Sequence, residues 1–133
     1  MLPLCSAAAS AQDKSLYQRL GGYDAIAAVS DEFIGRLATD DQEKRFFAGF
    51  SNDSKMRIRQ LLVDFVCKST GGPCVYIGRD MKTAHAGSGI TKGDWERSLK
   101  LFGEVLNKFN VPEKEQKDLA ALLGPLEKDV VEK

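Results

Sequence analysis

Two short stretches set this sequence apart from an ordinary helical protein: Thr70-Gly71-Gly72-Pro73 and Gly78-Arg79-Asp80-Met81-Lys82-Thr83-Ala84-His85-Ala86-Gly87. The first should end a helix, because glycine accepts left-handed backbone and proline cannot continue a helix. The second contains the only histidine, His85, four residues after Met81. This spacing places thioether and imidazole on one face of a short helix. A lone histidine is more often a surface or core residue than a ligand, so the pattern alone makes His85 a candidate for metal binding or catalysis.

Outward from these stretches the chain shows the apolar periodicity of α-helices and no paired strands. Apolar residues recur at helical spacing at Ile26, Val29, Phe33 and Leu37, at Ile58, Leu61, Leu62 and Phe65, at Trp95, Leu99, Phe102, Leu106 and Phe109, and at Leu119, Leu122, Leu123, Leu126 and Val130. Capping side chains mark helix starts at residues 51–54 and at Thr91 with Asp94. Pro112 suits a first helical turn, and Pro125 should kink or split the last helix. The prediction is one small all-α domain of five or six helices.

Size and charge narrow the classes of function. The chain has 133 residues, of which 43% are apolar and 29% charged, as is typical of one globular domain. Nineteen basic residues balance nineteen acidic ones, so no strongly basic face indicates a nucleic-acid partner. No apolar run approaches the roughly 18 residues of a membrane span. We therefore expect neither a nucleic-acid partner nor a membrane span.

The first residues and the cysteines bear on location. Residues 1–11 are small and apolar and end in Ala9-Ser10-Ala11, which fits the small-residue rule for signal-peptide cleavage, although a basic n-region is missing. We expect a leader and an exported or periplasmic protein; the alternative is a disordered tail on a cytoplasmic one. Cys67 and Cys74 flank the Gly-Gly-Pro turn and either pair in an oxidising compartment or remain two thiols. One histidine without a Cys-x-x-Cys motif does not indicate a zinc site.

Further residues complete a pattern that resembles the truncated globins, most closely those of group I. The matching residues are Leu20-Gly21-Gly22, Phe46-Phe47, Gly71-Gly72-Pro73, Tyr76, and Met81-Lys82 followed by His85, Gly87, Gly89 and Ile90, in the family's order from about Ser15 to Val131. The resemblance implies a truncated-globin domain over residues 12–133, folded as a two-over-two helical sandwich around one heme b. It also implies a very short first helix and little regular structure before the helix that carries the iron ligand.

Taken position by position, the resemblance implies a heme site built around His85. His85 matches the proximal iron ligand, and Phe47 matches the phenylalanine that stacks on heme. The other matching positions are Met81, Ile90 and Trp95 on the proximal side, Tyr76 and Arg79 near the propionates, and Ile58 and Leu62 on the distal helix. Arginine can hold a carboxylate through two hydrogen bonds, whereas a solvated surface charge is the alternative for Arg79.

The distal side departs from the family. Group I members usually place a tyrosine after a phenylalanine on the second helix, and here the pair is Phe33-Ile34. Glutamine is usual at positions that fall on Ile58 and Leu62, and Gln60 lies one step off that face. The sequence therefore predicts an apolar distal pocket without a hydrogen-bond donor for O₂. Fast O₂ release and quick autoxidation should follow, while CO should bind well.

Three classes of function remain. The first is a non-enzymatic heme protein that reversibly binds O₂, NO or CO at iron ligated by His85, with an electron donor that keeps the iron ferrous. The second is a heme-dependent NO dioxygenase or peroxidase, against which the missing tyrosine and the lack of a flavin or nicotinamide domain argue. The third is a heme-free helical interaction domain. Any sixth protein ligand would be Met56, Lys55 or another non-imidazole group. Gly87-Ser88-Gly89 is too short for a phosphate loop and follows a helix rather than a strand.

Overall fold

The computed structural model describes residues 14–133, which contain seven α-helices where the sequence predicted five or six. They are α1 (Leu16–Leu20), α2 (Gly22–Thr39), α3 (Asn52–Ser69), α4 (Met81–His85), α5 (Lys92–Lys108), α6 (Glu113–Leu123) and α7 (Glu127–Val130), with 3₁₀ turns at Lys44–Phe47 and Gly124–Leu126. No strand forms anywhere in residues 14–133, so the all-α prediction is confirmed there. The expected leader, residues 1–11, lies outside the described residues. Among the described helices none is both long and apolar enough to cross a bilayer.

Local sequence explains where the helices begin and end. The hydroxyl of Ser51 accepts a hydrogen bond from the backbone N–H of Ser54 at 3.1 Å and so caps the start of α3. Thr91 and Asp94 bond reciprocally, each at 3.0 Å, at the start of α5, which is the capping box that the sequence predicts. Gly21 has a φ of 108°, a backbone that favours glycine, and separates α1 from α2. Pro125 splits the final helix into α6 and α7, as expected.

Helix α2 is the central element of the packing. It packs against α3, α5 and α1, while α1 also packs against α6. The buried core residues are Leu16, Ile26, Val63, Val66, Leu106 and Leu119. On α2 the buried positions are Ile26, Ser30 and Ile34, whereas the predicted Val29 and Phe33 are only half-buried. Val29 packs against the core cluster and Phe33 packs against Phe102 of α5, so both lie at the edge of the covered arc rather than at its centre.

The Thr70–Pro73 turn is fixed by close packing and by a disulfide. Cys67, fully buried in α3, pairs with Cys74, and their Cα atoms lie 5.8 Å apart. A side chain on Gly72 would place its Cβ 2.4 Å from the ring of Tyr17 and 2.7 Å from the Cys67 sulfur, so the turn requires glycine there. The disulfide therefore anchors the start of the link, residues 74–80, that leads to α4.

Replacing both Cys67 and Cys74 with serine is expected to lower the free energy of unfolding by about 2 to 3 kcal/mol, because the disulfide closes a short loop in the unfolded chain. Urea unfolding of this variant against Cys5→Ser measures the difference. In the wild type, alkylation under denaturing, non-reducing conditions should label neither Cys67 nor Cys74, and labelling of both would rule the pairing out.

Candidate functional site

His85 is the last residue of α4 and is half-buried. Its Nδ1 lies 2.8 Å from the carbonyl oxygen of Met81, one turn earlier. Because a carbonyl only accepts hydrogen bonds, Nδ1 carries the hydrogen, and in the neutral imidazole Nε2 is then the nitrogen with the free lone pair. A histidine that ligates a metal usually makes a bond of this kind through its other nitrogen, which fixes the tautomer and the ring orientation. The spacing of Met81 and His85 thus fixes the orientation of the ring of this candidate metal ligand through a local hydrogen bond.

The irregular link before α4 is braced by Tyr76. Its hydroxyl donates to the carbonyl of Arg79 at 2.5 Å, and its ring meets Phe65 of α3 edge-on at 5.3 Å. Burial and the nearby Asp80 raise the pKa of the Tyr76 hydroxyl. The Arg79 side chain is exposed, so it is accessible to an anionic group. Tyr76, predicted to lie near the propionates, uses its hydroxyl hydrogen within the link.

Apolar side chains are left half-exposed on several elements of the described chain. Six of the predicted heme-lining residues share this half-buried state: Phe47, Ile58, Leu62, Met81, Ile90 and Trp95. They come from the 3₁₀ turn, from α3, from α4, from the loop that precedes α5 and from the beginning of α5. Helix α4 packs mainly against α7 rather than against α3. Each of these six side chains therefore keeps apolar surface that the described residues do not cover.

The predicted distal residues lie on α2 and α3. Ile34 is 9% exposed, and Phe33 packs edge-on against Phe102 of α5 with ring centres 5.0 Å apart. The side-chain amide of Gln60 donates to the hydroxyl of Tyr23 at 2.9 Å and to the carboxylate of Asp64 at 3.3 Å. Gln60 is thereby held in a surface network, in agreement with its predicted position off the apolar face.

An ionic cluster, defined as Asp40, Gln42, Arg45, Asp94 and Arg97, joins the 3₁₀ turn to the start of α5. Asp94 accepts from Arg45 at 2.6 Å and from Gln42 at 3.0 Å, and Asp40 accepts from Arg97 at 3.1 Å. The Arg45 hydrogen bond holds the pKa of Asp94 well below its usual range. The cluster fixes the segments that carry two predicted lining residues, Phe47 and Trp95.

Glu43 lies against this cluster without a neutralising partner of its own. It is 4% exposed, and its Oε2 has no hydrogen-bond partner among the described residues. Burial, together with the negative charge of Asp94, raises the pKa of Glu43 to about 7. Below that pH the folded protein therefore holds Glu43 largely as a neutral acid.

Replacing Glu43 with glutamine is expected to stabilise the protein above pH 7. The folded pKa is raised, so the carboxyl favours the folded state below its ordinary pKa of 4.5 and this contribution is lost as the pH rises through about 7. The linkage of protonation to folding gives a pH-dependent change of up to about 3 kcal/mol in the free energy of unfolding. Urea unfolding at pH 5 and pH 8 measures it, with the exposed Glu113→Gln as control. An equal change at both pH values would contradict the assignment.

Sequence pattern did not identify the ionic cluster, Glu43 or Glu132. The cluster joins segments far apart in sequence and has no periodic signature. Glu132 accepts hydrogen bonds from the backbone of Gly87 and Gly89. The Gly-x-Gly spacing was a usable signal for an anion-binding loop, and its anion proves to be a side chain of the same protein.

Comparison with known proteins gives one family. Residues 15–132 match the model of the bacterial-like globins. The chain is 30% identical to a group 1 truncated hemoglobin of Mycolicibacterium paratuberculosis over 120 residues, which cover 90% of this chain and 86% of that protein. It is 36% identical to a group 1 truncated hemoglobin of Nostoc commune over 90 residues, which cover 68% of this chain and 74% of that protein.

Solved structures agree on the fold. The truncated hemoglobin of Tetrahymena pyriformis superposes with a TM-score of 0.82 at 23% identity, covering 90% of this chain and all of that one. The 2/2 hemoglobin of a Synechococcus species superposes with a TM-score of 0.77 at 24% identity, covering 87% and 95% of the two chains. The predicted two-over-two helical sandwich is thus confirmed. The chain belongs to the bacterial-like globins and, within them, to the group I truncated hemoglobins.

Proposed function

We propose that this protein binds heme b through Nε2 of His85 and that the heme iron would reversibly bind a diatomic gas, O₂, NO or CO. The observation that carries the proposal is the 2.8 Å hydrogen bond between His85 Nδ1 and Met81, which leaves Nε2 as the free ring nitrogen. Membership of a globin family supports heme as the group that this nitrogen ligates. When bound, heme would supply an iron atom that binds both the imidazole and the gas.

The donor set and the surrounding side chains fit heme. A porphyrin needs apolar walls, and Phe47, Met81, Ile90 and Trp95 are half-buried side chains with apolar surface still to be covered. Covering that surface is worth roughly 25 cal/mol per Å². Two propionates need cationic partners, and the exposed Arg79 is one candidate. Met81 therefore serves twice, through its carbonyl on the imidazole and through its thioether on the porphyrin.

A largely apolar distal pocket is part of the proposal. Ile34 stands where the family usually has tyrosine, and Gln60 is bonded to Tyr23 and Asp64 instead. An uncharged diatomic gas is compatible with such surroundings, which give it no hydrogen bond.

The wild-type spectrum tests the proposal. The full chain, expressed with heme available, is expected to purify coloured, and the Soret band of its ferrous form should shift on addition of CO. A ferrous spectrum taken before CO reports whether a protein group such as Met56, which is 67% exposed, occupies the sixth position. A colourless protein that takes up no added heme would reduce the chain to a helical domain without this function.

We also propose export and an external electron donor. The Cys67–Cys74 pair supports export, because disulfides persist in oxidising compartments. Binding of O₂ or CO needs ferrous iron, so a separate reductant would have to maintain that state. Cell fractionation with a cytoplasmic marker tests the location, and exclusive recovery of the protein with that marker would overturn it. Weak peroxidase or NO dioxygenase turnover would be compatible with the binding function.

A further inference from the structure

The loop after His85, residues 87–90, is held by residues 132–133. The carboxylate of Glu132 accepts the backbone N–H of Gly87 at 2.8 Å through one oxygen and that of Gly89 at 2.6 Å through the other. The backbone N–H groups of Glu132 and Lys133 both donate to the carbonyl of Ile90, at 2.8 and 3.3 Å. Backbone and side-chain bonds thus join the two segments side by side.

We call the Glu132 carboxylate, together with the backbone N–H groups of Gly87 and Gly89 that it accepts, the clamp. The clamp depends on the backbone conformation of the two glycines. Gly87 has a φ of 83° and Gly89 a φ of 71°, and both values lie in the left-handed region that favours glycine. Successive backbone N–H groups in such a turn form a concave site for an anion. The hydrogen bonds from Gly87 and Gly89 lower the pKa of Glu132, so the side chain remains ionised as the anion of this site.

The clamp lies directly beside the candidate iron ligand. Ser88 N–H donates to the carbonyl of His85 at 3.1 Å, so the loop continues the backbone of α4. Helix α4 has five residues, and an isolated helix of that length is not stable in water. Its main packing partner is α7, which ends two residues before Glu132. The direction of α4, and with it the direction of the imidazole, therefore depends on what holds its two ends.

We infer that Glu132 is a positioning residue for His85: its carboxylate clamps the Gly87–Gly89 loop and thereby fixes the orientation of α4 and of the imidazole toward the iron. The inference rests on the proposed heme binding through His85. It concerns the bond between imidazole and iron and assigns no new ligand.

Glu132→Ala and Glu132→Gln test the clamp, with Glu127→Gln as the matched control. Glu127 lies on α7, and its carboxylate makes no hydrogen bond or ion pair with any of residues 14–133. In the heme-free chain, amide hydrogen exchange at Gly87 and Gly89 should become about tenfold faster in Glu132→Ala, as expected for loss of one hydrogen bond at each amide. Glu132→Gln keeps one acceptor oxygen, so its exchange rates at Gly87 and Gly89 should lie between those of the wild type and those of Glu132→Ala.

In the heme-loaded ferrous protein, the iron–histidine stretching band in the resonance Raman spectrum should shift and broaden in Glu132→Ala. It should change less in Glu132→Gln and remain unchanged in Glu127→Gln. Loss of heme to an excess of a heme-scavenging protein should be fastest in Glu132→Ala, slower in Glu132→Gln, and as slow in Glu127→Gln as in the wild type. The Raman band reports the imidazole–iron bond itself, which a merely structural contact elsewhere would not move.

The outcomes separate this inference from the proposed function. A wild type that binds no heme defeats the proposed function, whereas the exchange data still report on the clamp. If the wild type shows an iron–histidine band and both Glu132 variants show the same band unchanged, the positioning role is overturned. Unchanged exchange at Gly87 and Gly89 overturns the clamp. Glu132→Gln preserves side-chain size, so a folding failure of the alanine variant would leave the test intact.

Discussion

His85→Ala is expected to lose tightly bound heme. The chain contains no second histidine, so no other imidazole can replace the ligand that the variant removes. Loss of partners that merely orient a metal ligand costs about 10- to 100-fold in affinity, and loss of the ligand itself should exceed a hundredfold. Heme titration of the heme-free variant, followed at the Soret band, measures the loss, and the CO-induced shift of the wild type should be absent or strongly altered.

A cavity variant and a neighbouring substitution make this result specific. His85→Gly should recover a wild-type-like spectrum when imidazole is added, because free imidazole can occupy the space of the missing ring. Thr83→Ala changes an exposed residue of the same helix and should bind heme as the wild type does. An unaltered Soret band and CO shift in His85→Ala would mean that another group ligates the iron.

The helices were predictable because their signals are local. Apolar spacing and capping side chains report on neighbouring residues, so Ser51, the Thr91 and Asp94 box and the split at Pro125 all appear in the structure where the sequence places them. The assignment of His85 as a candidate ligand also needed only a local pattern, Met81 and His85 four residues apart. The hydrogen bond that fixes its tautomer is the direct product of that spacing.

Residues that act through distant partners were not predictable in this way. Glu43 has a raised pKa only because the fold buries it beside Asp94, fifty-one positions later. Glu132 meets Gly87 across 45 positions, and no period in the sequence relates the two. Gln60 shows the intermediate case, since helical periodicity placed it off the apolar face and the structure supplied its partner, Tyr23.

Ile34→Tyr is expected to slow O₂ dissociation by about tenfold or more. Ile34 is 9% exposed on the central helix, at the position where the family usually has a hydroxyl. Bound O₂ carries partial negative charge, and a hydrogen bond to it is worth on the order of 1 kcal/mol, or more when charge assists. Autoxidation should slow as well, whereas CO, which carries less charge, should dissociate at nearly the same rate. Stopped-flow displacement of O₂ measures the effect.

Ile34→Phe separates the hydroxyl from the bulk of the new ring. Both variants fill the pocket to a similar extent, and only tyrosine adds a donor, so a difference between their O₂ dissociation rates isolates the hydrogen bond. A buried hydroxyl without a partner costs about 1 to 3 kcal/mol, so Ile34→Tyr should also be less stable than Ile34→Phe in the heme-free state. That difference should shrink when heme and O₂ provide the acceptor. Equal O₂ dissociation rates in the two variants would show that position 34 does not face the gas, and the apolar distal pocket would then need another explanation.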